Sequence, residues 1–239
     1  MRLTVGLLMF ALAALAQSNR TSDEFPTPSG ILKITPVGHA SLMLDGGGSV
    51  VQVDPVKAAN YQGFPPADLI LITHAHGDHL DAEAIAKVRQ PATQVLGPGA
   101  VAEKLPGVTA IANGETKTVG KWTIEAVPAY NIKRGPQPGR LYHEKGQGNG
   151  YLITYAGKRV YISGDSEGTP EMKALRNIDV AFVCINLPYT MPPEEATEAV
   201  LAFRPKIVYP YHYRGSDLAA FKKQLESAGI EVRISRWYD

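Results

Sequence analysis

The chain has 239 residues, enough to bury one sizeable hydrophobic core, and 44% of them are hydrophobic, as in an ordinary globular protein. Its formal net charge is only +1, so charge gives no support to a protein that binds nucleic acid or an anionic membrane surface. The 23 glycines and 18 prolines favour a fold with many turns over a helical bundle.

Residues 1–16 have the pattern of a secretory signal peptide. Arg2 supplies the positive start, residues 5–15 form a short apolar run, and Ala-Leu-Ala at 14–16 is a small–x–small cleavage pattern. The run is too short to span a bilayer comfortably, which disfavours an uncleaved anchor. We therefore expect an exported protein, periplasmic or secreted, with no stable membrane span after signal cleavage.

Residues 17–30 are polar and rich in Ser, Thr and Pro, and we expect a flexible N-terminal segment there. Residues 31–239 alternate short apolar runs with turn residues and contain no linker, which predicts one domain. The runs predict strands at 31–35, 40–44, 49–53, 69–73, 122–128, 151–155, 159–162, 180–185 and 207–209. Apolar residues sharing one face predict helices at 82–89, 194–203 and 217–228. Both kinds of element in both halves favour an α/β (α+β) fold, with two packed sheets and helices outside.

The segment 131–149 is long, polar and rich in Gly and Pro, and it carries His143. Loops of this length are uncommon inside compact domains and are often lids or binding loops. We therefore expect this segment to lie beside a functional site.

The nine residues THAHGDHLD at 73–81 contain three histidines and two aspartates. A predicted strand ends where this motif begins and would deliver His74 and His76 to its exit, with Asp78 and His79 in the following turn. Imidazole nitrogen and carboxylate oxygen are ligands of zinc and similar divalent metals. Four such side chains on one short turn can reach two adjacent metal positions, so the motif predicts a metal site.

Two other predicted strands also end in a candidate ligand. The strand at 159–162 leads to Asp165, and the strand at 207–209 leads to His212. Taken alone, Asp165 is more often a turn residue, and His212 is more often an ordinary loop histidine. Beside the stronger motif, we expect both residues at the same edge of the sheets, where rigid strand ends would bring the ligands together.

These pieces resemble the metallo-β-lactamase superfamily, from about residue 31 to the C-terminus. The resemblance is carried by THAHGDHLD, by SGDS at 163–166 and by YPYHY at 209–213, and His-x-His-x-Asp-His is its most specific element. The wider pattern looks like the branch that contains sugar-phosphate lactonases and the N-acylphosphatidylethanolamine phospholipase D. That pattern consists of GHASL at 38–42, VDP at 53–55, NGYLI at 149–153 and YTM at 189–191.

The resemblance implies a four-layer αββα sandwich that holds two divalent metal ions. Zn²⁺ is the first expectation, with Mn²⁺ or Fe²⁺ as alternatives. His74 and His76 would hold one ion. The other ion would be held by Asp78, His79 and His212, with Asp165 bridging the two.

The chain departs from the family pattern at Asn131, where that branch has a histidine after the strand that precedes the long loop. An amide oxygen binds zinc weakly compared with imidazole. Either His143 completes the shell of the first metal, or that metal is held loosely. His143 could instead contact substrate, donate a proton or be a plain surface histidine.

Asp54 follows a predicted strand and is a candidate to accept the second ring N–H of a ligating histidine, which would fix that histidine's orientation. His39 could act in a similar way, although a buried, hydrogen-bonded structural histidine is an equally good interpretation. Asn131, if it is not a ligand, belongs with these supporting residues.

The expected chemistry is hydrolysis: a metal-bound hydroxide, oriented by Asp78, would attack a lactone, ester, lactam or phosphodiester. Metal-bound water or His143 would protonate the leaving group. An iron-dependent redox enzyme on the same fold is a rival, but His76 stands where diiron members typically have glutamate. A non-catalytic metal- or ligand-binding protein is a second rival, which the departure at Asn131 permits.

The substrate is expected to be a small molecule, and an organic anion would suit the residues on the surrounding loops. Those residues are aromatic, basic or sulphur-containing, and each is explained equally well as loop surface: Tyr130, Arg134, Arg140, Tyr142, Tyr189, Met191 and Tyr213. Because a fold does not fix a substrate, the sequence leaves both the bond type and the oligomeric state undecided.

Overall fold

The computed structural model describes residues 21–238. The predicted signal peptide at 1–16 and residues 17–20 lie outside this range. Within the described range, none of the helices has the length and apolar character needed to cross a membrane.

The first sheet has seven strands that neighbour one another in chain order. They are β1 (Asp23–Thr27), β2 (Gly30–Gly38), β3 (Ser41–Gly46), β4 (Ser49–Val53), β5 (Ala67–Leu71), β6 (Arg89–Gly97) and β7 (Thr109–Ala110). Strands β1 to β4 pair in antiparallel fashion, and β4 to β7 pair in parallel.

The second sheet repeats this plan with seven further strands. They are β8 (Thr116–Val119), β9 (Trp122–Pro128), β10 (Asn149–Tyr155), β11 (Lys158–Ile162), β12 (Val180–Cys184), β13 (Ile207–Tyr211) and β14 (Glu231–Val232). Strands β8 to β11 are antiparallel, and β11 to β14 are parallel. The chain thus builds two halves of the same design.

Five helices connect the parallel strands. They are α1 (Ala82–Val88), α2 (Gly99–Lys104), α3 (Pro170–Lys173), α4 (Pro193–Phe203) and α5 (Ala219–Ser227). Helix α1 begins after its N-cap Asp81, whose side chain accepts hydrogen bonds from the backbone N–H groups of Glu83 and Ala84. Asp81 is also the last residue of the THAHGDHLD turn. The turn therefore lies between the end of β5 and the capped start of α1.

The core is split into layers because successive strand residues point to opposite faces of a sheet. Leu69 and Leu71 pack into the cluster between the two sheets. Ile70 packs on the opposite face, in a cluster that contains Ile85 of α1 and Val101 of α2. On the far side, side chains of α4 and α5 pack against the second sheet. This confirms the predicted αββα sandwich.

The expectation of a flexible segment at 17–30 is wrong for Asp23–Thr27, which forms β1. Phe25 is buried in the core, and β1 pairs with β2 along its whole length. The hydroxyl of Tyr209 donates to the Asp23 carboxylate at 2.6 Å, which connects the strand to the second sheet. Tyr209 is far from Asp23 in sequence, so local composition could not show this contact.

Strand β6 was missed because Pro91 lies near its start and interrupts the apolar pattern. The pairing of β6 with β5 shifts register between Ala67 and Leu69. Regular pairing begins only at Gln94 of β6, so the proline occupies the irregular part of the strand.

The two sheets bring several strand ends to one edge of the molecule. The backbone N–H of Asn149, at the start of β10, donates to the carbonyl of Thr73, just after β5, at 2.8 Å. The hydroxyl of Tyr151 donates to the carbonyl of Ile72 at 2.7 Å. The C-terminal ends of parallel strands meet at a common edge, so both halves of the fold can contribute side chains to one site there.

A close approach between Gly46 and Tyr155 also fixes the sheets to each other. The Tyr155 hydroxyl donates to the Gly46 carbonyl at 2.9 Å. A Cβ atom on residue 46 would lie 2.4 Å from Cε2 of the buried Tyr155 ring. Only glycine allows the backbone of β3 to come this near to the ring.

We predict that Gly46→Ala lowers the free energy of unfolding by about 1–3 kcal/mol, because the added methyl overpacks the interface between the sheets. Gly99→Ala is the matched control, since a Cβ there has no neighbour within 4 Å. Urea unfolding followed by circular dichroism compares the two variants. Equal unfolding midpoints would contradict this account of Gly46.

Candidate metal centre

The THAHGDHLD turn presents two of its histidines inward. His74 and His79 are buried, whereas His76 and Asp78 are more exposed. The backbone N–H of His79 donates to the carbonyl of His76 at 3.0 Å, which closes the turn. The ring centroids of His74 and His79 are 4.1 Å apart, so the turn brings two buried imidazoles together.

A first group of possible ligands consists of His74, His76 and His143, whose ligand atoms lie within 4.8 Å of one another. The ring centroids of His74 and His143 are 4.9 Å apart, and those of His76 and His143 are also 4.9 Å apart. His143, from the long loop, thus lies beside the two motif histidines and is buried rather than part of the outer surface.

A second group consists of His39, Asp78, His79 and His212, again within 4.8 Å of one another. Oδ2 of Asp78 lies 3.1 Å from Nε2 of His39 and 3.4 Å from Nε2 of His212. The same oxygen lies 3.8 Å from Nε2 of His79. His212 directly follows the end of β13, and the structure places it in this second group.

Asp165 lies between the two groups and is buried. Its Oδ1 is 3.5 Å from Nε2 of His79, and its Oδ2 is 3.7 Å from Nε2 of His212. Oδ2 is also 3.6 Å from Nε2 of His143, in the other group. One carboxylate therefore faces histidines of both groups, which is the position that a bridging ligand requires.

Four of these side chains have a buried polar atom with no hydrogen-bond partner among residues 21–238: Nε2 of His74, His79 and His143, and Oδ1 of Asp165. Buried polar atoms are nearly always satisfied, so an unsatisfied cluster calls for an explanation. Imidazole nitrogens around carboxylate oxygens are the donor set of zinc and similar metals. The residues present therefore fit divalent metal ions.

The electrostatics around His74, His143 and Asp165 favour the protonation states that bind cations. Burial, together with nearby His79, holds the pKa of His74 well below 6.5, and burial lowers the pKa of His143 to about 4. Burial disfavours the charged form of Asp165, but His212 and His79 outweigh it and hold the pKa of that carboxyl well below its usual range. Neutral imidazoles and an ionised carboxylate are the forms that bind metal.

His79 is held from behind by Asp54. The Nδ1–H of His79 donates to Oδ2 of Asp54 at 2.8 Å, and the backbone N–H of Thr73 donates to Oδ1 at 2.7 Å. Burial disfavours the imidazolium, but the carboxylates of Asp165 and Asp54 raise the pKa of His79 to about 9. Asp54 thus makes the contact that a carboxylate needs to orient a ligand and leave Nε2 facing the site.

Asn131 lies behind His143 and points its amide at that histidine. Its Oδ1 accepts from Nδ1 of His143 at 2.6 Å and from the backbone N–H of the same residue at 2.9 Å. Asn131 therefore supports His143, and His143 takes the place beside His74 and His76. This arrangement gives a physical account of the departure from the family pattern.

His39 forms its hydrogen bond with the carboxylate of Asp78, at 3.1 Å, rather than with a ligating histidine. Its backbone has a φ of 53°, in the left-handed region that few residues other than glycine adopt. The ring centroid of His39 lies 4.1 Å from that of His212. The strained turn between β2 and β3 thus brings His39 directly into the group around Asp78.

Two supporting residues were missed by the sequence analysis. Glu167 is buried and contacts Asn131 through Oε1 at 3.2 Å. The amide nitrogen of Asn186 lies 3.3 Å from Nδ1 of His212. Both follow ends of parallel strands, the position that revealed Asp165, but neither lies in a dense cluster of candidate ligands like that at 73–81.

Two cavities flank the site. One, of about 340 Å³, is lined by His74, His76 and His143 together with Arg140 and Tyr142. The other, of about 480 Å³, has His39, Asp78, Lys57, Tyr189 and Arg214 among its lining residues. The rings of Tyr142 and Tyr189 meet with centroids 5.0 Å apart, so the two loops touch beside the site.

Two of the residues expected to contact substrate have other roles. Arg134 forms ion pairs with Glu167 at 3.2 Å and with Glu195 at 2.8 Å. Met191 is completely buried in the core. Their side chains are therefore occupied by the fold.

Comparison with known proteins identifies the family. Residues 33–212 match the model of the β-lactamase superfamily domain. The chain belongs to the β-lactamase superfamily. It is 32% identical over 213 residues to a UPF0173 metal-dependent hydrolase of Pyrococcus abyssi, covering 81% of this chain and 92% of that protein.

Solved structures of this superfamily agree with the fold. A protein of Parabacteroides distasonis, designated a metal-dependent hydrolase, has 46% identity and a TM-score of 0.85, covering 90% of this chain and 98% of its own. Igni18, a metallo hydrolase of Ignicoccus hospitalis, has 25% identity and a TM-score of 0.71, covering 86% and 95% of the two chains. Family, fold and ligand clusters together make this chain a metal-dependent hydrolase.

We predict that Asp54→Asn weakens metal binding by about 10–100-fold, the range typical of residues that orient metal ligands. An amide N–H facing Nδ1 of His79 would move the ring proton to Nε2, the atom that faces the site. Asp45→Asn is the control, because Asp45 accepts from the backbone of Gly48 in a surface turn. Competition with a chromophoric chelator measures both affinities, and equal values would contradict the role given to Asp54.

Proposed function

We propose that the site holds two divalent ions, with Zn²⁺ as the first candidate and Mn²⁺ or Fe²⁺ as alternatives. One ion would be held by His74, His76 and His143. The other would be held by Asp78, His79 and His212, with Asp165 between the two. The observation that supports this proposal most strongly is the convergence of four buried, unpaired ligand atoms on one space.

The proposed reaction is hydrolysis of a carbonyl or phosphoryl ester-type bond in a lactone, ester, lactam or phosphodiester. Divalent ions held there would activate a water molecule and polarise the scissile bond. Asp78 is suited to orient that water, because its side chain is 53% exposed and it lines the larger cavity. Hydrogen bonds from His212 and His39 offset its burial and keep the pKa of Asp78 well below its usual range, so the carboxylate stays ionised.

His143 is better suited to bind metal than to donate a proton. Its pKa of about 4, which follows mainly from burial, leaves the ring neutral near pH 7. Nδ1 is already committed to Asn131, so only Nε2 is directed at the site. Protonation of the leaving group by solvent fits this arrangement better than protonation by His143.

The proposed substrate is a small molecule that carries a negative charge. Lys104 and Arg140 line the smaller cavity, and Lys57 and Arg214 line the larger one. Nearby carboxylates balance these charges. The bound cations would therefore supply the positive potential that attracts an anionic substrate. A matched pair of charged and neutral ester substrates would test this preference through kcat/KM.

We also propose that the protein acts outside the cytoplasm, as the N-terminal sequence pattern supports. Arg2, the apolar run at 5–15 and the small residues at 14–16 form that pattern. Expression of the full chain in a bacterial host should give extracytoplasmic protein that begins at Gln17. Mass spectrometry of the N-terminus checks this, and an intact Met1 on cytoplasmic protein would contradict it.

We predict that the metal-loaded protein hydrolyses at least one member of a panel of lactones, esters, lactams and phosphodiesters. A chelator should abolish the activity, and Asp78→Ala should lower it by roughly a hundredfold or more, because a group that directs the nucleophile is lost. Asp45→Asn again serves as the matched control, and circular dichroism verifies folding of each variant.

Metal analysis completes this test. Hydrolysis by zinc-loaded, iron-free protein is the expected result and would be inconsistent with a reaction that needs iron redox chemistry. No turnover of any substrate class by fully loaded protein would contradict the proposed reaction.

A further inference from the structure

Glu167 lies two residues after Asp165, in the connection between β11 and α3, and it is completely buried. Among the described residues, Glu167 does not belong to any of the His and Asp clusters that could hold a metal ion. A buried carboxylate is costly unless hydrogen bonds and cations satisfy it, so its partners indicate its role.

Three consecutive backbone N–H groups of the long loop converge on this carboxylate. Ile132 and Lys133 donate to Oε2 at 3.2 Å each, and Arg134 donates to Oε1 at 2.8 Å. The guanidinium of Arg134 adds an ion pair at 3.2 Å. Successive N–H groups around one anion form a nest, which fixes the backbone path of the segment that supplies them.

The same carboxylate also fixes the amide of Asn131. Nδ2 of Asn131 donates to Oε1 of Glu167 at 3.2 Å and to the carbonyl of Tyr189 at 2.9 Å. With both N–H groups committed in this way, Oδ1 must face the other side, where it accepts from His143. A flipped amide would place an oxygen against the carboxylate, so the charge on Glu167 selects the orientation that supports His143.

We propose that Glu167 is a positioning residue that acts through Asn131 to hold His143 at the first metal ion. The inference rests on the proposed function, which assigns His143 to that ion. The polar, glycine-rich segment 131–143 is thereby a fixed arm that carries a ligand, in contrast to the mobile lid that its composition suggests. Glu167 follows Asp165 so closely that one short connection supplies the bridging carboxylate and anchors the arm.

Glu167→Gln tests the proposal, because it keeps the size of the side chain but removes the charge and one acceptor oxygen. Its amide N–H groups would also face backbone N–H groups of the arm. Glu171→Gln is the matched control: Glu171 accepts from the hydroxyl of Tyr130 at 3.0 Å and pairs with Lys145, so it contacts the same loop without reaching Asn131.

The measurement is binding of Zn²⁺ or Co²⁺ to the full, metal-free chain in competition with a chelator. His76→Ala and His212→Ala first assign the two affinities to the two ions. Glu167→Gln should weaken the first ion about 10–100-fold and leave the second unchanged, as expected of a residue that orients a ligand. Glu171→Gln should leave both affinities unchanged.

A second readout reports on His143 directly. In the Co²⁺-loaded protein, the ring N–H of His143 should give a shifted proton resonance that is missing in His143→Ala. Because Asn131 shields that proton, it should exchange slowly with solvent in the native chain and faster in Glu167→Gln. General loss of stability would not produce this change at one histidine alone.

The possible outcomes separate the two proposals. Unchanged affinity and unchanged proton exchange in Glu167→Gln would overturn the positioning role. If His143→Ala leaves the affinity for the first ion intact, the ligand assignment under the proposed function is wrong instead. Should Glu167→Gln not fold, Asn131→Ala cuts the same connection, and an undiminished first-ion affinity in that variant would refute the inference.

Discussion

The ionised carboxylate of Asp165 is the group on which the rest of the site depends. It comes from the second sheet, whereas His74, His76 and His79 come from the first. Its oxygens lie within 3.5–3.7 Å of Nε2 atoms of His79, His143 and His212. A buried charge persists only where opposite charge or strong hydrogen bonds compensate it, so the sheets must be held in register for these distances to exist.

Hydrogen bonds between the proposed ligands and their neighbours give the site its rigidity. Asp54 holds His79, Asn131 holds His143, and His39 contacts Asp78. In each case the partner lies at the end of a different strand, so the sheets themselves fix the ligand directions. The unpaired Nε2 atoms can then face one another at a cost in stability that a bound cation would offset.

The sequence predicted the parts of this molecule that depend on local pattern. The motif at 73–81 is contiguous, and Asp165 and His212 each follow a strand that its apolar residues reveal. The contact of β1 with Tyr209 spans 186 residues, and Glu167 binds loop residues more than thirty residues away, so local pattern could not show either contact. The place of His143 was undecidable from sequence, since it depends on the path of a loop with no periodic pattern.

In the proposed site, the position of His143 shows how a fold can move a metal ligand off a strand without losing precision. A ligand on a strand end is held by the hydrogen bonds of the sheet, whereas a loop must be ordered at a cost in conformational entropy. Here the carboxylate of Glu167 satisfies three backbone N–H groups of the loop at once. Hydrogen bonds to a charged group are stronger than those between neutral groups. The loop thereby gains a substitute for the pairing that a strand would have provided, and Asn131 transmits that order to the imidazole.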